Sequence, residues 1–118
     1  MATTHTNGVL QASTSNAAGG TTSSATLDNA AGYGAIITAK ATNGGSAPAT
    51  PVTATLNVSP DGAVWYFWSS QSAGLSASAI YSFAFSVPPE CIKAQVVFSG
   101  NTGQAVIVEA QFQALVGI

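Results

Sequence analysis

The sequence predicts an all-β fold: a single β-sandwich or jelly roll of about seven or eight antiparallel strands with an extended N-terminal arm. Three observations predict it. Several runs alternate apolar and polar residues with period two, and turn signals rich in Gly, Pro, Asn and Ser separate them about every 10 to 14 residues. The alanines sit beside Thr, Val, Gly and Ser, with neither a 3.6-residue period nor Glu/Lys pairs to favour helix. A length of 118 residues suits one domain with one core.

Residues 1–31 are rich in Thr, Ser, Ala, Asn and Gly, and their bulky apolar residues are Val9, Leu10 and Leu27. Such a composition buries little surface, so this segment is expected as an arm or as short edge strands over 7–14 and 21–27. The sandwich domain is expected over 32–118. GAIITAKAT (34–42) is its first strand, closed by the turn signal Asn43-Gly44-Gly45. PVTATLNVS (51–59) sets Val52, Ala54, Leu56 and Val58 on one face and Thr53, Thr55 and Asn57 on the other. AVWYFWSS (63–70) follows the turn Ser59-Pro60-Asp61-Gly62. SAIYSFAFSV (78–87) aligns Tyr81, Phe83, Phe85 and Val87 and stops at Pro88-Pro89. IKAQVVFS (92–99) aligns Ile92, Ala94, Val96 and Phe98. After a Gly-Asn-Thr-Gly turn, QAVIVEAQFQALV (104–116) aligns Val106, Val108, Ala110, Phe112, Ala114 and Val116 against Glu109, Gln111 and Gln113.

The run Trp65-Tyr66-Phe67-Trp68 places two aromatics on each face of a strand, and one face meets the core. Pro-Asp-Gly favours a type I turn followed by a left-handed glycine, because proline cannot supply the positive φ of a primed two-residue turn. That turn pairs Ser59 with Ala63, Val58 with Val64, Leu56 with Tyr66 and Ala54 with Trp68. Tyr66 and Trp68 are then buried, and Trp65 and Phe67 lie on the Thr/Asn face. A two-residue turn would exchange the pairs. The outward pair is covered either by another segment of the chain or by a partner.

Charge narrows the function classes. The chain has two Lys/Arg and four Asp/Glu, giving a net charge of −2, and both basic residues are lysines, Lys40 and Lys93. Nucleic-acid binding needs several cation–phosphate contacts, which two distant lysines cannot supply. No uninterrupted apolar span approaches transmembrane length, and the N-terminus lacks the basic start and apolar run of a secretory signal. No membrane partner and no signal-peptide secretion are therefore expected. Weak self-repulsion on a Ser/Thr/Asn/Gln surface tolerates dense assembly.

No chemical site is evident, and no catalytic residue, metal or cofactor is expected. His5, the single imidazole, has no neighbouring carboxylate or thiol with which to form a metal set or a triad. Glu90 and Glu109 could approach one another in a sheet, but nothing in the sequence marks a glycosidase cleft. The Gly-rich pieces lack the lysine and strand-to-helix context of a phosphate loop. Cys91, the single cysteine, is expected to be a small buried hydrophobe.

With its uncharged Ala/Thr/Ser/Gly start, TLNVSPDGAVWYFWS at 55–69 and VVFSGNTGQAVIVEAQFQAL at 96–115, the chain resembles small β-sandwich structural proteins of tailed-bacteriophage virions, of the decoration or cement type. The resemblance lies in style and strand rhythm over about two-thirds of the chain. It implies a non-enzymatic protein of the virion, assembled in the host cytoplasm, whose partners are capsid or other virion proteins. It also implies a homo-oligomer, a trimer being favoured. Val9, Leu10, Leu27, Trp65 and Phe67 are the candidate partner-binding residues. The alternatives are a carbohydrate-binding β-sandwich module, in which Trp65 beside Asn57 and Thr55 would stack on a sugar, and a tail- or fibre-associated virion protein.

Overall fold

A computed structural model of the protein describes residues 4–29 and 34–117. The expected arm residues 1–3 and 30–31 lie outside the described residues, as do the side chains of His5 and Val116. Nine strands are described: β1 (Thr4–Asn16), β2 (Thr22–Ser23), β3 (Leu27–Asp28), β4 (Ala35–Asn43), β5 (Thr53–Ser59), β6 (Tyr66–Ser72), β7 (Ile80–Val87), β8 (Lys93–Ser99) and β9 (Val106–Gly117). They form two antiparallel sheets, one ordered β1-β9-β4-β7 and the other β2-β8-β5-β6, with β3 also pairing β8.

The pairing is nested. The ends of the chain meet as β1–β9, then β2 and β3 with β8, then β4–β7, and the innermost hairpin is β5–β6. A long antiparallel hairpin of this kind, rolled so that β4 also pairs β9 and β5 also pairs β8, is a jelly roll. Residues 4–16 are the edge strand β1, paired with β9 from Thr4↔Gly117 to Asn16↔Val106. Gly8 lies opposite Phe112, whose ring sits so close that a Cβ at position 8 would come within 2.9 Å of it.

The core follows the alternation predicted from the sequence. Ile37, Ala39 and Ala41 of β4, Ala54, Leu56 and Val58 of β5, and Phe83, Phe85 and Val87 of β7 are buried. So are Ala94, Val96 and Phe98 of β8, with Val106, Val108, Ala110 and Ala114 of β9. Each large side chain among them contributes about 1.5–3 kcal/mol relative to exposure. Because the sheets touch on one face each, the opposite parity of every strand faces outward.

Four buried asparagines close the ends of the sandwich. Asn16 Nδ2 donates to Asn101 Oδ1 (2.5 Å) and to the Gly20 carbonyl (3.2 Å), while Thr22 Oγ1 donates to Asn16 Oδ1 (2.7 Å). Asn101 Nδ2 donates in turn to the carbonyls of Asn16 (3.1 Å) and Gln104 (2.9 Å), so the β1–β2 and β8–β9 loops are one unit. Asn43 Nδ2 holds the β6–β7 loop through the carbonyls of Gly74 and Ser76. Asn29 Nδ2 holds the β7–β8 loop through those of Pro88 and Cys91. Without a disulfide, these amides fix loops that would otherwise carry buried, unpaired carbonyls.

Replacing Asn101 with Ala removes its bonds and leaves buried groups of Asn16 unsatisfied. The expected loss is about 2–4 kcal/mol of folding stability, read as a lower urea midpoint at unchanged m-value. A shift below about 0.5 kcal/mol would remove the network from the account of how the ends are closed.

Candidate functional site

The β5–β6 hairpin departs from the expected register. Gly62 has φ +80°, as the Pro-Asp-Gly signal predicts, but Ser59 does not pair with Ala63. Instead the Ser59 carbonyl accepts the Ile92 N–H (3.0 Å), and Asp61 Oδ1 accepts the N–H groups of Ala63 and Val64 (both 2.9 Å) and the Ser59 hydroxyl (3.3 Å). This carboxylate-centred turn keeps Ala63, Val64 and Trp65 out of the strand. Pairing starts at Val58↔Tyr66, continues at Asn57↔Phe67 and resumes at Leu56↔Ser69, with Trp68 as the extra residue of a bulge.

The expectation that Tyr66 and Trp68 are buried is therefore corrected: they are 56% and 54% exposed. Trp65 is 38% and Phe67 67% exposed, so no aromatic of the run lies in the core. The physical reason is position. β6 is the outermost strand of its sheet, and the core face of that sheet is already supplied by its inner strands β5 and β8, through Leu56, Val58, Val96 and Phe98. Four half-exposed aromatics leave a few kcal/mol of burial unrealised, at about 1.5–3 kcal/mol for a fully buried side chain.

Of the five candidate residues, the structure brings Trp65 and Phe67 together at this edge and leaves Val9 exposed on β1. Leu10 and Leu27 have their side chains in the core. Sequence reasoning missed Tyr66 and Trp68 as surface residues. The available signal was Asp61, whose carboxylate can gather several N–H groups and lengthen a turn.

Phe67 shares an outward row with Asn57 and Gln95. With Tyr66 and Trp68 it lines an open depression of about 440 Å³, whose other lining residues are the buried Val58 and Cys91 and the exposed Pro60 and Asp61. Hydrogen bonds from Val64 and Ala63 hold the Asp61 carboxyl below its ordinary value, so it is a fixed negative charge beside the rings. Burial, reinforced by the Glu90 carboxylate, pushes the Cys91 thiol up, which suppresses thiolate chemistry. Among the described residues no cluster of His, Cys, Asp and Glu could hold a metal ion.

A second feature is the distribution of charge. Residues 62–89 contain no Asp, Glu, Lys, Arg or His, and this segment carries both β6 and β7, the outermost strands on one side of the sandwich. Seven of the ten large apolar side chains found exposed among the described residues belong to it: Val64, the four aromatics, Leu75 and Ile80. The arrangement offers apolar area and open strand edges rather than acid–base or metal chemistry.

No family profile and no curated protein matches the chain in sequence. Solved structures share its fold. PBSX exported protein XepA superposes with a TM-score of 0.60 at 15% identity, over 96% of this chain and 37% of that one. The enzymatically active domain of bacteriophage CBA120 tailspike protein 4 superposes at 0.55 and 15% identity, over 96% of this chain and 18% of that one. A Family 16 carbohydrate binding module-2 superposes at 0.51 and 10% identity, over 83% and 71%. The chain thus spans well under half of the first two structures and most of the third. Likeness at these identities shows the β-sandwich fold, on which many activities are carried.

Two outcomes follow for the site. The lowered Asp61 carboxyl gives a stability term that is present above its ordinary value of 3.8 and is lost as pH falls through its lowered folded value. Thermal melts should accordingly show wild type above Asp61→Ala at neutral pH and the gap closing in acid. Cys91 should react with a thiol-specific reagent at neutral pH far more slowly in the folded protein than in urea. Equal rates would mean that the buried lining of the depression opens to solvent.

Proposed function

We propose that the chain is a non-enzymatic structural protein of a tailed-phage virion, of the decoration or cement type, which strengthens an assembled particle through repeated symmetric contacts. The observation that carries this reading is the uncharged segment 62–89, with two open strand edges and most of the exposed apolar side chains. Such an edge can add strands or bury aromatics against a protein surface, and it lacks the cationic groups that nucleic acid or anionic lipid would require. The fold shared with a bacteriophage tailspike domain is compatible with this reading. A cement protein needs modest interfaces used many times, so avidity supplies what a single contact does not.

A second reading has its own observation. The depression lined by Tyr66, Phe67 and Trp68, together with ionised Asp61, has aromatic faces and a hydrogen-bond acceptor suited to a pyranose ring. The carbohydrate-binding module among the similar structures gives it support. It requires a monomer that binds sugar without any particle.

The two are separated by co-sedimentation and a glycan array. Purified protein is expected to bind particles that lack it, saturably, and to raise their resistance to heat-induced genome release. The Trp65→Ala/Phe67→Ala pair is expected to weaken that binding at least tenfold while still folding and melting cooperatively, since neither side chain lies in the core. Absence of the chain from purified virions, with glycan retention that Trp68→Ala abolishes, would replace the first reading by the second.

A further inference from the structure

We propose that the aromatic edge is an interface between two copies of this chain, in which β6 pairs antiparallel with β6 of a second copy across a two-fold axis. The inference rests on the reading of segment 62–89 as an assembly surface and names its occupant. β6 pairs with β5 alone and ends its sheet, so its outer backbone N–H and C=O groups face away from the protein. Natural edges are blunted by charge, proline or bulges; Tyr66–Ser72 contains no charge and no proline, and its one bulge is confined to Trp68. Its bulge at Trp68 leaves Ser69–Ser72 in regular pairing opposite Thr53–Leu56, a straight template for a further strand.

Self-complementarity favours a second copy over a foreign partner. A two-fold axis near Ser70 places Trp65 of one copy opposite the second copy's Leu75, and Trp68 opposite the second copy's Ser72. Each aromatic end then covers the apolar, exposed end of the other hairpin, where Leu75 is 49% exposed. An isologous contact of this kind closes at two subunits and leaves no free β6 edge. Charge does not oppose it: the segment itself carries none, and although Asp61 lies beside the rings, an antiparallel pairing about Ser70 sets the two Asp61 carboxylates at opposite ends of the contact.

The area is sufficient. Scaling typical aromatic areas by the observed exposures gives about 500 Å² for the four rings, and Val64, Leu75 and Ile80 raise the total to about 700 Å² per copy. Stable interfaces bury about 800 Å² per partner, so this total is the upper limit that the apolar side chains can give, and edge backbone and small side chains must supply the rest. The pair would present two copies of every remaining surface to a particle, the bivalency a bridging protein requires, so that loss of Trp65 and Phe67 weakens particle binding by breaking the pair.

The test is the mass of the free protein by light scattering after size exclusion over a range of concentrations, with no particle present. Wild type is expected to be a dimer, Phe67→Lys/Trp68→Lys a folded monomer with dissociation constant raised at least tenfold, and Ile107→Lys, on the outer face of the other sheet, a dimer. Hydrogen exchange of wild type supplies a check that needs no variant, since the outward amides of β6 should become protected as concentration rises. A monomer throughout, a trimer, a dimer indifferent to the β6 lysines, or β6 amides that exchange equally fast at all concentrations would each overturn the proposal. Particle binding by a protein that is monomeric alone would overturn this pairing and leave the virion reading standing. A dimer that ignores particles would do the reverse.

Discussion

A two-layer sandwich has one interior, and that constraint organises the rest of this molecule. Every strand has two faces, so half of its side chains must point away from the core whatever their chemistry. Where the outward parity is mostly polar, as with Thr53, Thr55 and Asn57 of β5 or with the Lys40–Glu109 pair among the Thr and Gln residues of β4 and β9, the surface is hydrated. Where it is aromatic, as along β6, the chain has apolar surface that its own interior cannot take. The core was complete without it, since Leu56, Val58, Val96 and Phe98 are already almost fully buried.

The same constraint explains how a chain with so few charges and a single cysteine holds its loops. Apolar faces fix the two sheets against one another but do nothing for the carbonyls at strand ends. Buried amides do that work here: Asn16 with Asn101, Asn29 and Asn43 each reach across from one loop to another element. A neutral amide is suited to this role, because its two N–H donors reach loop carbonyls without the desolvation penalty of a buried ion. One of these loops, held by Asn43, is the β6–β7 connection, so the open side is anchored at its end by a buried amide.

That open side differs from the opposite one. At the β1 side, short β2 and β3 cover β8, and the Ala25 N–H reaches the Leu10 carbonyl, so the two sheets are linked by main-chain bonding. At the β6 and β7 side, Gln71 Nε2 donates to the Ala84 carbonyl, a side-chain link between the two edge strands. Uncharged edges with exposed rings are the kind of surface that soluble monomers avoid and that assemblies use. The proposed structural role draws on the combination of a rigid sandwich and one apolar edge, beside which Cys91 is buried and Asp61 is committed to its turn.

The sequence by itself determined the class of fold, the positions of most strands and most of the core, because period-two alternation is a local property and burial follows it directly. Val52, Ala54, Leu56 and Val58 were legible in this way, as were Phe83, Phe85 and Val87. It also marked Gly62 as a left-handed turn residue. Only the tertiary structure decided strand order, and with it which strands were edges. That order depends on which faces meet across the roll, a non-local choice that no window of residues contains. For the same reason Tyr66 and Trp68 were misread: their parity matched a core face, but β6 ends its sheet and the Asp61 turn delays its pairing to Val58↔Tyr66. Leu10 and Leu27, set in a polar segment that resembled an arm, were drawn into the core because β1 and β3 pair with strands more than 60 residues away. A local pattern therefore specified what each strand could bury, and the long-range pairing determined what it did bury.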